Sequence, residues 1–158
     1  MAERPVVSNT TPLISLVGVG LLELLPQLYA SVLIPEIVRQ EYQAGAKPAD
    51  PDLATLSWVV IMPVVAEPAL LKILDAGEAA AITLATATNA RAILLDEADG
   101  RTMALRRRLP VVGTIAAILR AKQAGLIPFV KPVVDAMVAQ GRHIGTRLRA
   151  EALRVAGE

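Results

Sequence analysis

The chain of 158 residues contains no cysteine, one histidine, one tryptophan and one phenylalanine. Without cysteine there are no disulfides and no thiolate metal sites, and a single histidine excludes a metal site built from several histidines. No apolar stretch reaches the roughly 20 residues that a membrane-spanning helix needs, and the N-terminus lacks the pattern of a secretory signal. We therefore expect a soluble, cytoplasmic protein with a single domain over residues 1–158.

More than half of the residues are apolar, mostly alanine, valine, leucine and isoleucine. Short β-branched runs alternate with longer stretches of helical periodicity, which is typical of an α/β protein with a mainly parallel sheet. The pattern predicts strands at 5–8, 31–34, 58–62, 92–95 and 110–112. It predicts helices at 12–16, 21–28, 35–44, 68–74, 77–88, 100–108, 114–124, 131–140 and 146–155.

Charge is unevenly distributed along the chain. Residues 1–99 carry five basic and twelve acidic side chains, whereas residues 100–158 carry eleven basic and three acidic ones. The basic residues could simply lie on solvated helix faces, or they could form a basic rim around an acidic centre that acts on a polyanion. The second interpretation predicts that the site is flanked by basic side chains, either those of Arg101, Arg106, Arg107 and Arg108 or the arginines of the last helix.

Asn9 follows the first predicted strand, in the stretch "VVSNTTPLISL". Polar turns at the carboxyl edge of a parallel sheet are where α/β proteins place their active sites. An asparagine can equally be a helix N-cap that bonds free backbone amides. The sequence leaves both interpretations of Asn9 open.

Two glutamates lie on helix faces that otherwise look buried. Glu41 shares a helix face with Ile37 and Val38, and Glu78 precedes Ile82 by one helical turn. Glu78 could also serve only to offset the helix dipole in the first turn. Glu36 has that simpler explanation and is set aside.

Asp96 directly follows the apolar strand "AILL", and Asp99 comes three residues later. An acid at the carboxyl end of a buried strand is a common metal or catalytic position, although either aspartate could instead cap the next helix. We expect Glu97 to face solvent. If Asn9, Glu41, Glu78 and Asp96 or Asp99 converge, they offer the oxygen ligands that Mg²⁺ or Mn²⁺ prefers.

A metal bound in this way can activate water and stabilise the charge that develops on a phosphodiester. This is chemistry that a nuclease uses, and the basic second half of the chain could hold the nucleic-acid backbone.

Five segments in order resemble a PIN-like domain, and the resemblance spans nearly the whole chain. They are "SNTTPLISL", "VLIPEIVRQE", "DAGEAAAITLA", "AILLDEADGRTMA" and "VVGTIAAILRAKQAGLI". They look most like the subfamily that opens with Ser-Asp/Asn-x-x-Pro-Leu-Ile, often left as a domain of unknown function. The resemblance implies a three-layer α/β/α sandwich around a central, mainly parallel sheet.

The resemblance also implies a metal-dependent ribonuclease with Mg²⁺ or Mn²⁺, in many cases a toxin with an antitoxin partner. The acids of the PIN pattern fall on Asn9, Glu41, Glu78 and Asp96 or Asp99. The first of these is an aspartate in the PIN pattern, and here it is Asn9. An amide oxygen can still bind a metal ion but brings no charge, so the departure weakens the expectation of catalysis.

Three functions therefore compete. The first is a metal-dependent ribonuclease, toxin-like or not, and the second is a weak or inactive PIN-like module that binds RNA or a protein partner. The third, a small-molecule enzyme such as a phosphatase, is disfavoured because the chain has no glycine-rich phosphate loop and no aspartate at the first strand tip. The apolar excess makes a homodimer our default expectation.

Overall fold

The computed structural model describes residues 3–158. Within that range the chain forms five strands, which are β1 (Val6–Ser8), β2 (Val32–Pro35), β3 (Val59–Met62), β4 (Ala92–Leu94) and β5 (Val111–Val112). The helices are α1 (Thr10–Gly18), α2 (Leu24–Tyr29), α3 (Glu36–Gly45), α4 (Pro68–Leu71), α5 (Ala76–Ala87), α6 (Ala98–Arg106), α7 (Thr114–Gln123), α8 (Lys131–Ala139) and α9 (Thr146–Ala156). A short 3₁₀ helix at Leu53–Thr55, which the sequence did not predict, precedes β3.

The strands form one parallel sheet in the order β3-β2-β1-β4-β5. In the centre of the sheet Val6 pairs with Ala92, and Val7 pairs with Ile93. The prediction of a central, mainly parallel sheet is therefore confirmed. Because the strands are parallel, the turns that follow them all lie at one edge, where α/β proteins bind their ligands.

Helices cover both faces of the sheet. Val6 packs on one face with residues of α1, α2, α7 and α8, whereas Val7 packs on the other face with residues of α4, α5 and α6. Alternate strand residues point to opposite faces, so a strand buried on both sides is an unbroken apolar run. The predicted three-layer α/β/α sandwich is confirmed.

Two helices begin two residues earlier than the sequence pattern predicted. Helix α1 begins at Thr10, directly after Asn9, and α6 begins at Ala98, directly after Glu97. The remaining helix and strand boundaries lie within about three residues of the predicted ones, as is usual for element ends. The two early starts matter because they decide which polar side chains face the turns between β1, β4 and β5.

Those turns lie side by side. The backbone nitrogen of Asn9 donates to Leu94 O at 3.0 Å, and that of Leu95 donates to Val112 O at 3.0 Å. The residues that follow β1, β4 and β5 are thus held next to each other by backbone hydrogen bonds. Across residues 3–158, no helix combines the length and the apolar character that crossing a membrane requires.

Candidate functional site

Asn9 directly follows β1 and stands at the N-cap position of α1, but its side chain makes no capping hydrogen bond. Its Nδ2 donates to Glu97 Oε2 at 3.4 Å. Its Oδ1 is buried and has no hydrogen-bond partner, and the residue is only 3% exposed. An unpartnered buried oxygen costs free energy, so the capping interpretation does not explain this side chain.

Glu97 occupies the N-cap position of α6 and is half-buried. Its carboxylate accepts hydrogen bonds from Asn9 Nδ2 and from the Thr11 hydroxyl. The expectation that Glu97 faces solvent is therefore wrong. Because α6 begins at Ala98, Glu97 keeps an extended backbone and its side chain reaches the start of α1. The hydroxyl of Thr11, two residues after Asn9, is the hydrogen-bond donor in the sequence that could have indicated a buried acceptor such as Glu97.

Glu41 on α3 reaches the same end of α1 from another direction. Its Oε2 accepts a hydrogen bond from Thr10 Oγ1 at 2.6 Å. The carboxylate also lies against Gly77 in α5, where an added Cβ would be 2.9 Å from the carboxylate carbon. The glycine before Glu78 thus leaves room for the Glu41 carboxylate.

Glu78 is 6% exposed and lies in the first turn of α5. It forms a capping box with Asp75: its nitrogen donates to Asp75 Oδ1 at 2.8 Å, and its Oε2 accepts from the Asp75 nitrogen at 3.3 Å. Burial, together with the negative charges of Asp75, Glu97 and Asp99, raises the pKa of Glu78 to about 7. Glu78 therefore has the structural role expected of a first-turn acid. It is also close enough to Glu97 and Asp99, which follow β4, for their negative charges to raise its pKa.

Asp96 uses both carboxylate oxygens to bind the start of α7. Its Oδ1 accepts from the Thr114 nitrogen at 2.7 Å and its Oδ2 accepts from Thr114 Oγ1 at 2.6 Å. Burial raises the pKa of Asp96, and the two bonds from Thr114 oppose that rise. Asp96 does not cap α6, and Thr114 is the first helical residue of α7, after the Gly113 N-cap.

Asp99 is exposed and lies inside the first turn of α6 rather than before it, so it is not the helix cap that one interpretation of the sequence predicted. The structure links it to the site only through its charge, which contributes to the raised pKa of Glu78.

The candidate acids thus gather at one edge of the sheet, but they do so in hydrogen-bonded pairs. Glu41 is bound to Thr10, Glu97 to Thr11 and Asn9, and Asp96 to Thr114. Within residues 3–158, no three histidine, aspartate or glutamate side chains form a group that could hold a metal ion. The donor atoms are nevertheless all carboxylate or amide oxygens, which suits Mg²⁺ or Mn²⁺.

The four arginines predicted to bind nucleic acid lie at two different places. Arg101 lies beside Asp96, and both line a cavity of about 520 Å³. Arg106, Arg107 and Arg108 lie at the far end of α6, which leads back to the start of β5 and hence to the opposite edge of the sheet. Arg107 is bound there to Glu67 and, at 3.2 Å, to Thr86 Oγ1.

The cavity extends from this edge of the sheet between α7 and the C-terminal helices. Asp96, Arg101 and Thr114 line one part of it, and its apolar lining includes Leu119 of α7 and Leu148 of α9. The sequence pattern did not predict this cavity.

A parallel five-stranded sheet between two helical layers, with acids at the carboxyl edge of its central strands, defines the chain as a three-layer α/β/α sandwich. The chain matches the model of the DUF3368 family, described as a PIN domain, over residues 5–158. It therefore belongs to that family of PIN domains. No curated protein matches the chain.

Proposed function

We propose that this protein is a Mg²⁺- or Mn²⁺-dependent endoribonuclease of the PIN type. The observation that carries the proposal is the buried Oδ1 of Asn9, which has no partner and belongs to a side chain in contact with Glu97. A buried oxygen in that position is stabilised by a nearby positive charge or a hydrogen-bond donor, and this one has neither. A divalent cation between Asn9 and the neighbouring carboxylates would meet this need, provided that the amide turns so that Oδ1 replaces Nδ2 on the side of Glu97.

The residues that would hold the ion are Asn9, Glu97, Asp96 and Glu78. Glu41 lies next to them, at the start of α1. When bound, the metal supplies activation of water and stabilisation of the charge on the scissile phosphate. The donor chemistry fits this role, and metal binding requires Glu97 and Asp96 to exchange their present hydrogen-bond donors for the ion.

The remaining roles belong to side chains of the chain itself. Thr10 and Thr11 orient the carboxylates of Glu41 and Glu97 through their hydroxyl groups. Glu78, whose pKa is about 7 in the metal-free site, would lose its proton when it binds the ion at neutral pH. Because the Asp75 nitrogen occupies its Oε2, Oε1 is the oxygen left for the ion. Arg101 would neutralise the RNA phosphate beside Asp96.

We further propose that the protein acts as a toxin-like component with an antitoxin partner, in the PIN subfamily that opens with Ser-Asp/Asn-x-x-Pro-Leu-Ile. Membership in a PIN family supports this proposal. We also propose that the protein is a homodimer and that it acts in the cytoplasm.

A second function, a weakly active or inactive module that binds RNA or a protein, is favoured by one specific observation. Asn9 supplies an uncharged amide where the PIN pattern has an acid, and it donates a hydrogen bond to Glu97. This hydrogen bond offsets part of the negative charge without any metal ion. The two functions thus differ in whether the acids bind a metal ion strongly enough for catalysis.

Two measurements distinguish the two functions. Crystals soaked in Mn²⁺ should show anomalous density beside Asn9 and Glu97, and the purified protein should cleave single-stranded RNA in Mn²⁺ but not in EDTA. The half-buried Glu36, which lies in the first turn of α3 and is paired with Arg39 away from the site, provides the matched control. Glu97→Gln should abolish cleavage, whereas Glu36→Gln should not. Mn²⁺ density without cleavage would favour the binding module, and absence of both would overturn the metal-dependent enzyme.

A further inference from the structure

Arg142 differs from every other partly buried cation of the described chain. Five lysine and arginine side chains in residues 3–158 are half-buried and paired with an acidic side chain, namely Arg39, Arg91, Arg107, Lys122 and Arg149. Arg142 is also half-buried, but its guanidinium has neither a hydrogen bond nor an ion pair within that range. Partly removing a charge from water without a partner costs free energy, so an external anion is the natural complement.

Arg142 also has a special location, because two cavities meet at it. The first is the cavity of about 520 Å³ that contains Asp96 and Arg101, and the second, of about 370 Å³, contains Tyr42 and Lys47. Arg142 and Ser15 line both of them. Arg142 thus lies between a cavity beside the acids at the carboxyl edge of the sheet and a second cavity at the end of α3.

The backbone holds Arg142 at this junction. Its nitrogen donates to Met137 O at 3.0 Å, which ties the segment after α8 to that helix. Nearby, the backbone of Gly18 at the end of α1 accepts a hydrogen bond from the Gln140 side chain. The guanidinium is therefore carried on a segment that is fixed to both α8 and α1.

The cations that line the two cavities favour a polyanion over a single small anion. Arg101 lines one cavity, which also contains Glu151, Lys47 lines the other, which also contains Asp50, and Arg142 lines both. A row of separated positive charges beside a cluster of acids complements a chain of phosphates that passes over a cleavage site.

We infer that Arg142 binds a backbone phosphate of single-stranded RNA, next to the scissile phosphate, and so sets the path of the strand along α1. This inference rests on the proposed ribonuclease function and adds to it a specific binding position. The planar guanidinium suits a phosphate because it can donate two parallel hydrogen bonds.

The test measures binding of a fluorescein-labelled oligouridine over a series of KCl concentrations with Ca²⁺ in place of Mg²⁺, and gel analysis of the same samples checks that the RNA stays intact. Arg142→Ala should weaken binding about tenfold, as expected for loss of a charge-assisted hydrogen bond. It should also reduce the slope of log K against log[KCl] by about 0.7, the value for one phosphate contact on a single strand. Arg142→Lys should retain the slope and lose part of the affinity.

Arg147→Ala is the matched control, because Arg147 is exposed on α9 and lines neither cavity. It should leave both affinity and slope unchanged, and unchanged melting temperatures would show that all variants are folded. If the wild type binds RNA and Arg142→Ala binds it equally well, the inference is overturned while the ribonuclease proposal stands. The guanidinium would then serve another anion, such as a carboxylate of a protein partner. If the wild type binds no RNA, both are overturned.

Discussion

The Asn9 amide donates to Glu97 Oε2 at 3.4 Å, and this contact determines which way the amide faces. The reverse orientation would place Oδ1 against a carboxylate oxygen, which is repulsive, so Nδ2 faces Glu97 and Oδ1 faces away from it. That oxygen is buried and without a partner. The first prediction follows from exchanging this amide for a carboxylate.

Asn9→Asp should tighten Mn²⁺ binding about tenfold, which corresponds to ~1.4 kcal/mol. The added charge attracts a divalent ion strongly at short range. Without metal the variant should melt at a lower temperature than the wild type, because a carboxylate repels Glu97 where the amide donated to it. Calorimetric titration and melting curves with and without Mn²⁺ measure both effects.

Asn89→Asp is the control, because it makes the same chemical change at an exposed turn position. If the wild type already binds Mn²⁺ and cleaves RNA, Asn9 is a working ligand. If only Asn9→Asp does both, the natural protein is a weakened enzyme. Failure of both variants to bind Mn²⁺ at millimolar concentration would rule out the metal site.

Substitution of the three acids that follow β4 should reduce RNA cleavage to different extents. Asp96→Asn and Glu97→Gln should each reduce RNA cleavage by at least about tenfold, because both carboxylates lie among the hydroxyl and amide groups of the site. Asp99→Asn should change cleavage less than either, since Asp99 is exposed and acts only through its charge. Cleavage rates at saturating Mn²⁺ would measure this order, and a dominant effect of Asp99→Asn would contradict it.

Gly77→Ala tests the contact between α5 and Glu41. Replacing glycine with alanine in a helix normally stabilises a protein by about 0.5–1 kcal/mol. The new Cβ should displace the flexible Glu41 carboxylate and break its bond with Thr10. We expect a folded protein with reduced cleavage, measured by thermal melting and RNA hydrolysis in parallel.

Gly45→Ala is the matched control, because Gly45 is also helical and an added Cβ there meets no atom within 4 Å. It should raise stability slightly and leave cleavage unchanged. Equal cleavage by the two glycine variants would mean that the position of Glu41 is unimportant for activity.

The raised pKa of Glu78 should make the stability of the protein depend on pH. Its pKa is about 7 in the folded protein, compared with an ordinary 4.5. Between these two values the folded state binds more protons than the unfolded state, so the free energy of unfolding should fall as the pH rises through that range. Asp96, whose pKa is also raised, contributes in the same direction.

Urea unfolding at a series of pH values measures this dependence. Glu78→Gln keeps an acceptor for the Asp75 nitrogen, so it should reduce the slope between pH 4.5 and about 7 while preserving the helix start. Glu23→Gln, at an exposed glutamate before α2, is the control. An identical slope in wild type and Glu78→Gln would refute the assignment.

The two groups of predicted RNA-binding arginines should differ in effect. Arg101→Glu should weaken RNA binding and reduce its salt dependence, because Arg101 lines the cavity beside Asp96. Arg108→Glu makes the same charge change at the far end of α6 and should have little effect. Equal effects of both would mean that only the overall charge of the second half of the chain matters.

The layered fold was predictable because its signals are local. Strands that are buried on both faces appear in the sequence as short β-branched runs, and the helices between them show apolar residues with helical periodicity. The positions of Asn9 and Asp96 at the carboxyl edge of the sheet were predictable for the same reason, since each follows such a run. Their placement needed only the rule that parallel strands share a carboxyl edge.

Glu97 was missed because its orientation depends on where α6 begins. A start at Gly100 would leave Glu97 in a solvated turn, whereas the start at Ala98 makes it the N-cap residue that faces α1. The pairing of Arg107 with Glu67 was missed for a different reason, since the partners are 40 residues apart. Neither helix boundaries to within two residues nor long-range pairs can be read from periodicity.

The hydrogen bond from the Asn9 nitrogen to Leu94 O has a consequence for biosynthesis. A ribosome releases the chain from its N-terminus, so Asn9 emerges long before β4, Glu97 and Thr114 exist to surround it. The acids of the site come together only when β1 pairs with β4 and Asp96 reaches α7. A nascent chain that ends before Thr114 can therefore pair β1 with β4, but its Asp96 lacks the partner that fixes it until α7 has been made.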